Sequence, residues 1–342
     1  MKTKLHGSII VTYRCNAKCN MCNVWHHPSD RQEEVGLETF EKLPEMFFAN
    51  VTGGEPFIRK DLPDIIEILR RKSRRIVLSS NGYFTQRIIS LFQKYPDLGI
   101  RISVEGLPKT NDTIRGIPEG FDRTLRTLLI LREMGIKDIG FAMTLQDINA
   151  PDLPYLYHLA KALGYEFATA TLHNSHYFHK LDNRIGKVDA VAEQIQKLIQ
   201  LMLKSKKPKE WFRAYYNYGL IHYIHGNARL LPCEMGEDGF FLDPFGDILA
   251  CNGMNDKLPM GNLKHQAWED IWNSQQAASV RQAVRTCPKN CWMIGSVAPA
   301  IWHHPLQPMK WVAVNKLRSA FGKAPLVAVE PVRPCDPVPG HP

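Results

Sequence analysis

Cys15, Cys19 and Cys22 stand in the run Cys-Asn-Ala-Lys-Cys-Asn-Met-Cys, three thiols on one short segment. Three thiolates at this spacing can hold three irons of a 4Fe–4S cube, leaving the fourth iron open to a further ligand. The alternative is a zinc site completed by His26 or His27. Thr52-Gly53-Gly54-Glu55-Pro56 pairs two glycines, which let a backbone approach a ligand closely, with a carboxylate able to accept from an ammonium group. A second cysteine set is Cys233, Cys251, Cys287 and Cys291; twelve residues separate Cys233 from Gly246, and Gly246-Asp-Ile-Leu-Ala-Cys251 reads as GX4C. By spacing alone, four thiolates suit a tetrahedral zinc.

These residues need elements to position them. Short β-rich runs recur at 8–13, 47–52, 75–80, 99–104, 138–145 and 166–172, with amphipathic segments at 37–46, 62–71, 85–94, 121–134 and 153–163 between them. Six strand-then-helix units in succession predict an α/β fold with a parallel sheet, open or curled into part of a barrel, and functional loops at the strand C-terminal ends. The first cysteine loop then follows strand one, and the Gly-Gly-Glu closes strand two. After residue 174 the alternation stops. A helical stretch at 188–204 leads to an aromatic segment at 211–225, and Asp243-Pro-Phe-Gly246 sits in a β-hairpin flanked by 240–242 and 248–251. A helix at 268–284 ends before Cys287. The expected organisation is a barrel with a helical connection at 1–225, a small module at 226–298 and a C-terminal region at 299–342 that becomes Pro-rich and disordered from 325.

Composition sets the outer limits. With 342 residues, 44% hydrophobic and 23% charged, the chain buries a full core and is neither disordered nor collagen-like. No apolar run approaches the roughly 18 residues of a membrane helix, and the run at 9–11 is too short for a signal peptide, so a cytoplasmic location is the default. Eight cysteines then argue for metal or redox chemistry before disulfides. The formal charge of +9 is spread in patches such as 70–75 and 204–209, without the aromatic-interleaved basic stripe of a nucleic-acid binder.

Two further motifs complete a pattern. Ser79-Ser80-Asn81-Gly82 closes the third strand; Ser103-Val104-Glu105-Gly106 closes the fourth and precedes Asn111-Asp-Thr-Ile-Arg115-Gly116. Together with the CxxxCxxC loop and the Gly-Gly-Glu, they make residues 7–175 resemble the radical S-adenosylmethionine (SAM) superfamily. The resemblance implies a partial (β/α)6 TIM-like barrel in which Cys15, Cys19 and Cys22 bind a 4Fe–4S cluster whose open iron chelates the amino and carboxylate groups of SAM. An electron entering the sulfonium then yields a 5'-deoxyadenosyl radical that takes hydrogen from substrate. Gly53, Gly54 and Glu55 would cradle the methionyl amine, Met21 would lie against adenine, and Arg115 would pair with the carboxylate. Ser103 would contact the ribose or carboxylate, with Ser79 and Asn81 lining the same cofactor site. The family's usual Asp is Glu105 here. Residues 233–291, with Met260-Gly-Asn-Leu263 and Trp268-Glu-Asp-Ile-Trp272, are similar to the twitch/SPASM modules that follow such barrels. That similarity implies a small α+β module holding a second, auxiliary 4Fe–4S cluster on Cys233, Cys251, Cys287 and Cys291. The further cysteines of the longer SPASM pattern are missing, which favours the single-cluster twitch form. A flavodoxin- or ferredoxin-type protein would supply the electron.

The remaining cysteine, Cys335, lies in the Pro-rich tail, so unless the tail folds inward or a Tyr substitutes, radical quenching by a thiol lacks a donor; oxidation through the auxiliary cluster needs none, and redox-neutral isomerisation, rearrangement and radical addition are the other routes. His173, and after it His176, follow the sixth strand and are the candidate proton acceptors for an alcohol oxidation. His222, His225 and the tyrosines of 211–225 read as packing residues. At 302–321, Trp311, Val314, Leu317 and Phe321 recur at helical spacing with Lys310, Lys316 and Arg318 interleaved, a pattern that either packs on its own domain or lies peripherally on an anionic membrane. The first strand begins within ten residues of Met1, so the expectation is that no leader-binding domain precedes the barrel, and a peptide substrate would need a separate partner to deliver it. Four thiolates in the second set argue against the molybdenum-cofactor cyclases, whose second cluster keeps an open iron. The expected substrate is therefore a small polyol, sugar or amino sugar undergoing dehydrogenation. The alternatives are a ribosomal peptide or, from another class, a non-enzymatic protein with two zinc sites.

Overall fold

The computed structural model describes residues 4–254 and 256–329. In chain order its elements are β1 (His6–Ile10), α1 (Leu37–Glu41), β2 (Phe48–Thr52), α2 (Leu62–Lys72), β3 (Ile76–Ser80), α3 (Thr85–Lys94), β4 (Gly99–Ser103), α4 (Pro108–Arg115), α5 (Gly120–Glu133), β5 (Ile139–Leu145), α6 (Leu153–Ala162) and β6 (Glu166–Thr171). There follow α7 (Val188–Lys204), α8 (Pro208–Ile224), β7 (Gly239–Leu242), β8 (Asp247–Leu249), β9 (Pro259–Asn262), α9 (Trp268–Trp272), α10 (Gln275–Arg285), α11 (Ile294–His303) and α12 (Leu306–Ala320).

The strands join in the order β6-β5-β4-β3-β2-β1-β7-β8-β9, and the sheet is not closed. All pairs from β1 to β6 are parallel, as right-handed strand–helix–strand units require, so their C-terminal ends share one edge. Continuous apolar stretches such as Ile76-Val-Leu78 are buried, because helices cover the faces of a parallel sheet. Ile9, Val51, Leu78, Phe141 and Phe167 from the strands share one core with Ile65, Phe92, Leu128 and Leu156 from the helices. Each such side chain contributes ~1.5–3 kcal/mol of burial.

Several expectations change. The hairpin β7–β8 forms around Pro244–Gly246 as read, and it extends the barrel sheet: β7 pairs in parallel with β1, and β9 continues the antiparallel end. Ile248 and Trp268 belong to the same core as Ile9, so the stretch from residue 226 is continuous with the barrel. The amphipathic run 37–46 is helical only to Glu41, since Pro44 disfavours helical backbone at the residue before it. The run 268–284 is two helices, divided where the Ser274 hydroxyl accepts from Ala277 N–H and caps α10. The run 302–321 is likewise divided, at Pro305 between α11 and α12. Helix α4, absent from the expected elements, contains most of the Asn111–Gly116 motif. Residues 325–329 form neither helix nor strand; the rest of the Pro-rich tail, Cys335 included, lies outside the described residues.

Candidate functional site

The first cysteine loop leaves β1 and is fixed at both ends. At its base, Glu34 is buried and accepts from Ser29 Oγ at 2.6 Å, Arg14 Nη2 at 2.7 Å and the Thr12 hydroxyl. At its tip, Lys18 N and Asn20 N donate to Arg115 O and Ile114 O, the last carbonyls of α4, at 3.1 and 3.0 Å. Gly116 ends that helix with φ +60°, and a Cβ there would stand 2.7 Å from Lys18 O. The loop thus occupies carbonyls that a helix C-terminus leaves unsatisfied. Cys19 is buried, Cys15 and Cys22 half-buried, and all three pack around Ala17 and Ile117 with Met21 and Tyr83. Burial pushes the Cys15 thiol up to about 12 and the Cys22 thiol up to about 11, and raises Cys19. Such thiols would bind iron as thiolates, the metal displacing their protons to solvent.

Among the described residues, no three His, Cys, Asp or Glu side chains are placed to hold a single metal ion. Cys15 and Cys22 nonetheless each feel the charge of Cys19. The His26 ring packs tilted against Trp25, and His27 stacks on His179 at 4.3 Å. Three soft thiolates with their histidine neighbours engaged elsewhere form a donor set that fits a polynuclear iron–sulfur cluster better than zinc.

Gly53 and Gly54 are required by the chain itself. A Cβ on Gly54 would meet Arg14 O at 2.3 Å, and one on Gly53 would meet Thr12 O at 2.6 Å. Their loop lies against the cysteine loop, with Gly54 N donating to Thr12 O and Glu55 N to Arg14 O. The Glu55 carboxylate is fully buried and accepts from Ser80 Oγ at 2.9 Å, Asn81 N at 2.7 Å and Phe57 N at 3.1 Å, tying the ends of β2 and β3 together. Ser79 instead donates along the sheet to Asn50 Oδ1, while Asn81 Nδ2 reaches Asn16 of the cysteine loop at 2.8 Å. Ser103 ends β4, half-buried. Glu105 is buried, accepting from Thr144 N at 2.7 Å and facing Arg115 Nη1 at 3.4 Å. Burial raises the pKa of both Glu55 and Glu105, and Arg115 opposes that rise. Burial alone would lower Arg115, but Cys19, Glu105, Cys15 and Glu55 surround it with negative potential and hold it protonated. One largely enclosed cation therefore faces two carboxylates and the cysteine loop.

The second cysteine set converges as well. Cys251 is influenced by Cys233, Cys287 and Cys291, and its thiol is pushed up to about 11, burial being the main cause. A Cβ on Gly253 would lie 3.6 and 3.9 Å from the Cys251 and Cys291 sulfurs, and Gly253 N donates to Cys251 Sγ. Lys289 Nζ donates to Gly253 O at 2.7 Å, and Arg229 to Cys291 O.

Between the two cysteine sites runs a segment the motifs did not single out. Ser175 Oγ donates to Asn252 O, beside Cys251; Tyr177 OH donates to Gly53 O; and Phe178 O accepts from Asn23 N, beside Cys22. These contacts end on backbone carbonyls, which leave no sequence signature. Asn183 Nδ2 similarly joins Met21 O and His173 O, at 3.1 and 2.9 Å, and Gln146 Nε2 lies 4.0 Å from the Met21 sulfur. His173 donates from Nδ1 to Thr171 O at 3.0 Å, which leaves Nε2 with the lone pair; its ring packs on Phe178. Burial lowers its pKa and that of His176. His176 faces the auxiliary side, with Nδ1 at 3.4 Å from Met254 O. The structure therefore brings His173 toward Met21 and His176 toward the second cysteine set.

A partial parallel barrel with a three-cysteine loop at its open edge, continued by a four-cysteine module, defines the class. Residues 9–160 match the Radical SAM superfamily, and residues 233–293 match SPASM, an iron–sulfur cluster-binding domain. The chain is a radical SAM protein with a SPASM-like module, and these domains imply SAM, a 4Fe–4S cluster that binds it and an auxiliary cluster. It is 33% identical over 161 residues to Fe-coproporphyrin III synthase of Methanosarcina barkeri, covering 44% of this chain and 39% of that protein. It is 25% identical over 289 residues to the subtilosin biosynthesis protein AlbA of Bacillus subtilis, covering 82% of this chain and 62% of AlbA. The chain therefore spans less than two thirds of either relative. Its fold is similar to that of anSMEcpe with bound AdoMet and Cp18Cys peptide, with a TM-score of 0.62 at 12% identity, covering 91% of this chain and 99% of that one.

Proposed function

We propose that this chain is a radical SAM enzyme that modifies a peptide, using an auxiliary iron–sulfur cluster, in place of the sugar dehydrogenation expected from the sequence. One observation carries the choice of substrate. AlbA, a bacteriocin biosynthesis protein, aligns over 82% of the chain, whereas the porphyrin synthase aligns over only 161 residues. The peptide bound to anSMEcpe, a protein of the same fold, supports the same reading.

Cys15, Cys19 and Cys22 would hold the SAM-binding cluster, and Cys233, Cys251, Cys287 and Cys291 the auxiliary one. Bound there with SAM, the first cluster supplies one-electron cleavage of the sulfonium and removal of a substrate hydrogen atom. The chain's own residues prepare the site. Arg115 would offer its positive charge to a carboxylate, and the Glu55 carboxylate, held by Ser80, Asn81 and Phe57, would accept from an amine. Tyr177 holds the Gly53 carbonyl in place, Ile117 and Ala17 exclude water behind the cysteine loop, and the Nε2 of neutral His173 is able to accept a proton.

Anaerobically reconstituted protein incubated with SAM and a strong reductant tests the reading, when given either the peptide fraction or the small-metabolite fraction of the producing cell. The expected result is 5'-deoxyadenosine matched by a mass change in a peptide. Product paired with the metabolite fraction alone defeats the peptide reading, and no 5'-deoxyadenosine with either defeats the radical one.

A further inference from the structure

Helix α12 is apolar on two faces, and only one of them is used. Its inner face buries Pro308, Val312 and Asn315 against α7 and α8, with Trp311 stacked on Tyr218 at 5.1 Å and Lys316 Nζ donating to Leu203 O at 2.7 Å. The segment after it is strapped down, Leu326 N donating to Asn315 Oδ1 at 2.6 Å and Tyr218 OH to Ala328 O at 3.0 Å. The helix is thus firmly docked, and its outer stripe is not a consequence of loose placement. That stripe presents Leu306 (79% exposed), Met309, Val314, Leu317 (62%) and Phe321 (72%) at helical spacing, continued by Trp302 of α11 (71%). Leaving this much large apolar surface in water is unfavourable unless something covers it.

The charge pattern says what covers it. Residues 271–329 contain no Asp or Glu and seven Lys or Arg, against a formal charge of +9 for the whole chain. Arg281 and Arg285 turn to Glu237, but Lys310, Arg318 and Lys323, which flank the stripe, have no carboxylate partner among the described residues. Leu306, Trp311, Val314 and Leu326 line a shallow apolar trough beside Lys310. Trp, Leu and Phe on one side of a helix with cations at its rim is the chemistry of an interfacial helix, the lysine stems lying along the apolar surface and the charges reaching the headgroups.

We propose that α12, with the end of α11 and the segment to residue 329, seats this protein on an anionic lipid surface. The proposal is independent of the substrate reading. It is tested with the full chain by co-sedimentation with vesicles of phosphatidylcholine alone and of phosphatidylcholine with phosphatidylglycerol. Binding to the anionic vesicles is expected to be about tenfold tighter or more, and to weaken as salt is added. Leu317→Ser with Phe321→Ser should weaken binding by about tenfold or more, since each side chain loses its burial in the interface. Lys310→Gln with Lys323→Gln should remove most of the preference for phosphatidylglycerol while leaving the circular dichroism spectrum unchanged. Equal binding to both vesicles, or binding to neither, overturns the proposal. A wild-type dimer that Leu317→Ser with Phe321→Ser converts to monomers, without vesicle binding, overturns it too and assigns the stripe to a second copy of the chain.

Discussion

Arg115 is the residue on which the charge balance of the site turns. Its side chain, 12% exposed, faces the buried Glu105 and lies within reach of the potentials of Glu55, Cys15 and Cys19. Breaking a buried pair from one side costs roughly 3–5 kcal/mol because the partner charge is stranded. Arg115→Gln should therefore destabilise the metal-free protein by about that amount in urea titrations, and adding Glu105→Gln should cost less than the sum of the two single changes. Strictly additive costs would show that the pair is not coupled. The histidines carry a pH signature of opposite origin. Burial depresses the pKa values of His173 and His176, so near the ordinary histidine range the folded chain binds fewer protons than the unfolded one. The stability they contribute is present above about pH 6.5 and is lost as the pH falls through their folded values. Thermal midpoints followed from about pH 8 to about pH 5 should fall, and should fall less steeply in His173→Gln; an unchanged slope would show that His173 is not held neutral.

At the scale of elements, glycines decide how closely the loops approach. Gly54→Ala drives a Cβ into Arg14 O, and neither backbone has a flexible end to yield. A loss of roughly 1–3 kcal/mol is expected, together with weaker SAM binding by equilibrium dialysis. Gly295 in α11 has no neighbour within 4 Å of the point where a methyl group would stand, so Gly295→Ala should stabilise by roughly 0.5–1 kcal/mol and leave SAM binding unchanged. Equal effects from the two substitutions would mean that the approach of the loops is not what Gly54 provides. Local periodicity made all six barrel strands legible to within three residues, because buried parallel strands are short apolar runs between amphipathic segments. It did not reveal α4, whose polar sequence Pro108–Arg115 buries only Asn111 and Ile114. Nor did it reveal the pairing of β7 with β1, since a register between strands over two hundred residues apart has no local signal. In the site, the cysteines and glycines were legible from their spacing. The Ser175–Phe178 connection was not, because it acts through carbonyl oxygens that every residue carries.

Over the whole molecule, one sheet joins both cysteine sites: the first leaves the C-terminal end of β1, and in the second Cys233 precedes β7, the neighbour of β1, while Cys251 follows β8. A single core beneath them means that neither site moves as an independent domain. Ser175 and Tyr177 connect the loops above that core, one reaching the carbonyl beside Cys251 and the other the carbonyl of Gly53. If the sites serve one reaction, their losses should differ in kind. Cys19→Ala removes a ligand of the SAM-binding cluster and should abolish 5'-deoxyadenosine formation altogether. Cys251→Ala leaves Cys15, Cys19 and Cys22 in place, so SAM cleavage should persist while modified product disappears. Iron should fall from about eight per chain toward about four, as expected for two four-iron clusters reduced to one. Mass spectrometry of 5'-deoxyadenosine and product in the same reactions separates the two sites. Full product turnover in Cys251→Ala would make the second cluster a structural brace for β7 and β8 and nothing more, because then no electron or substrate atom needs to reach it.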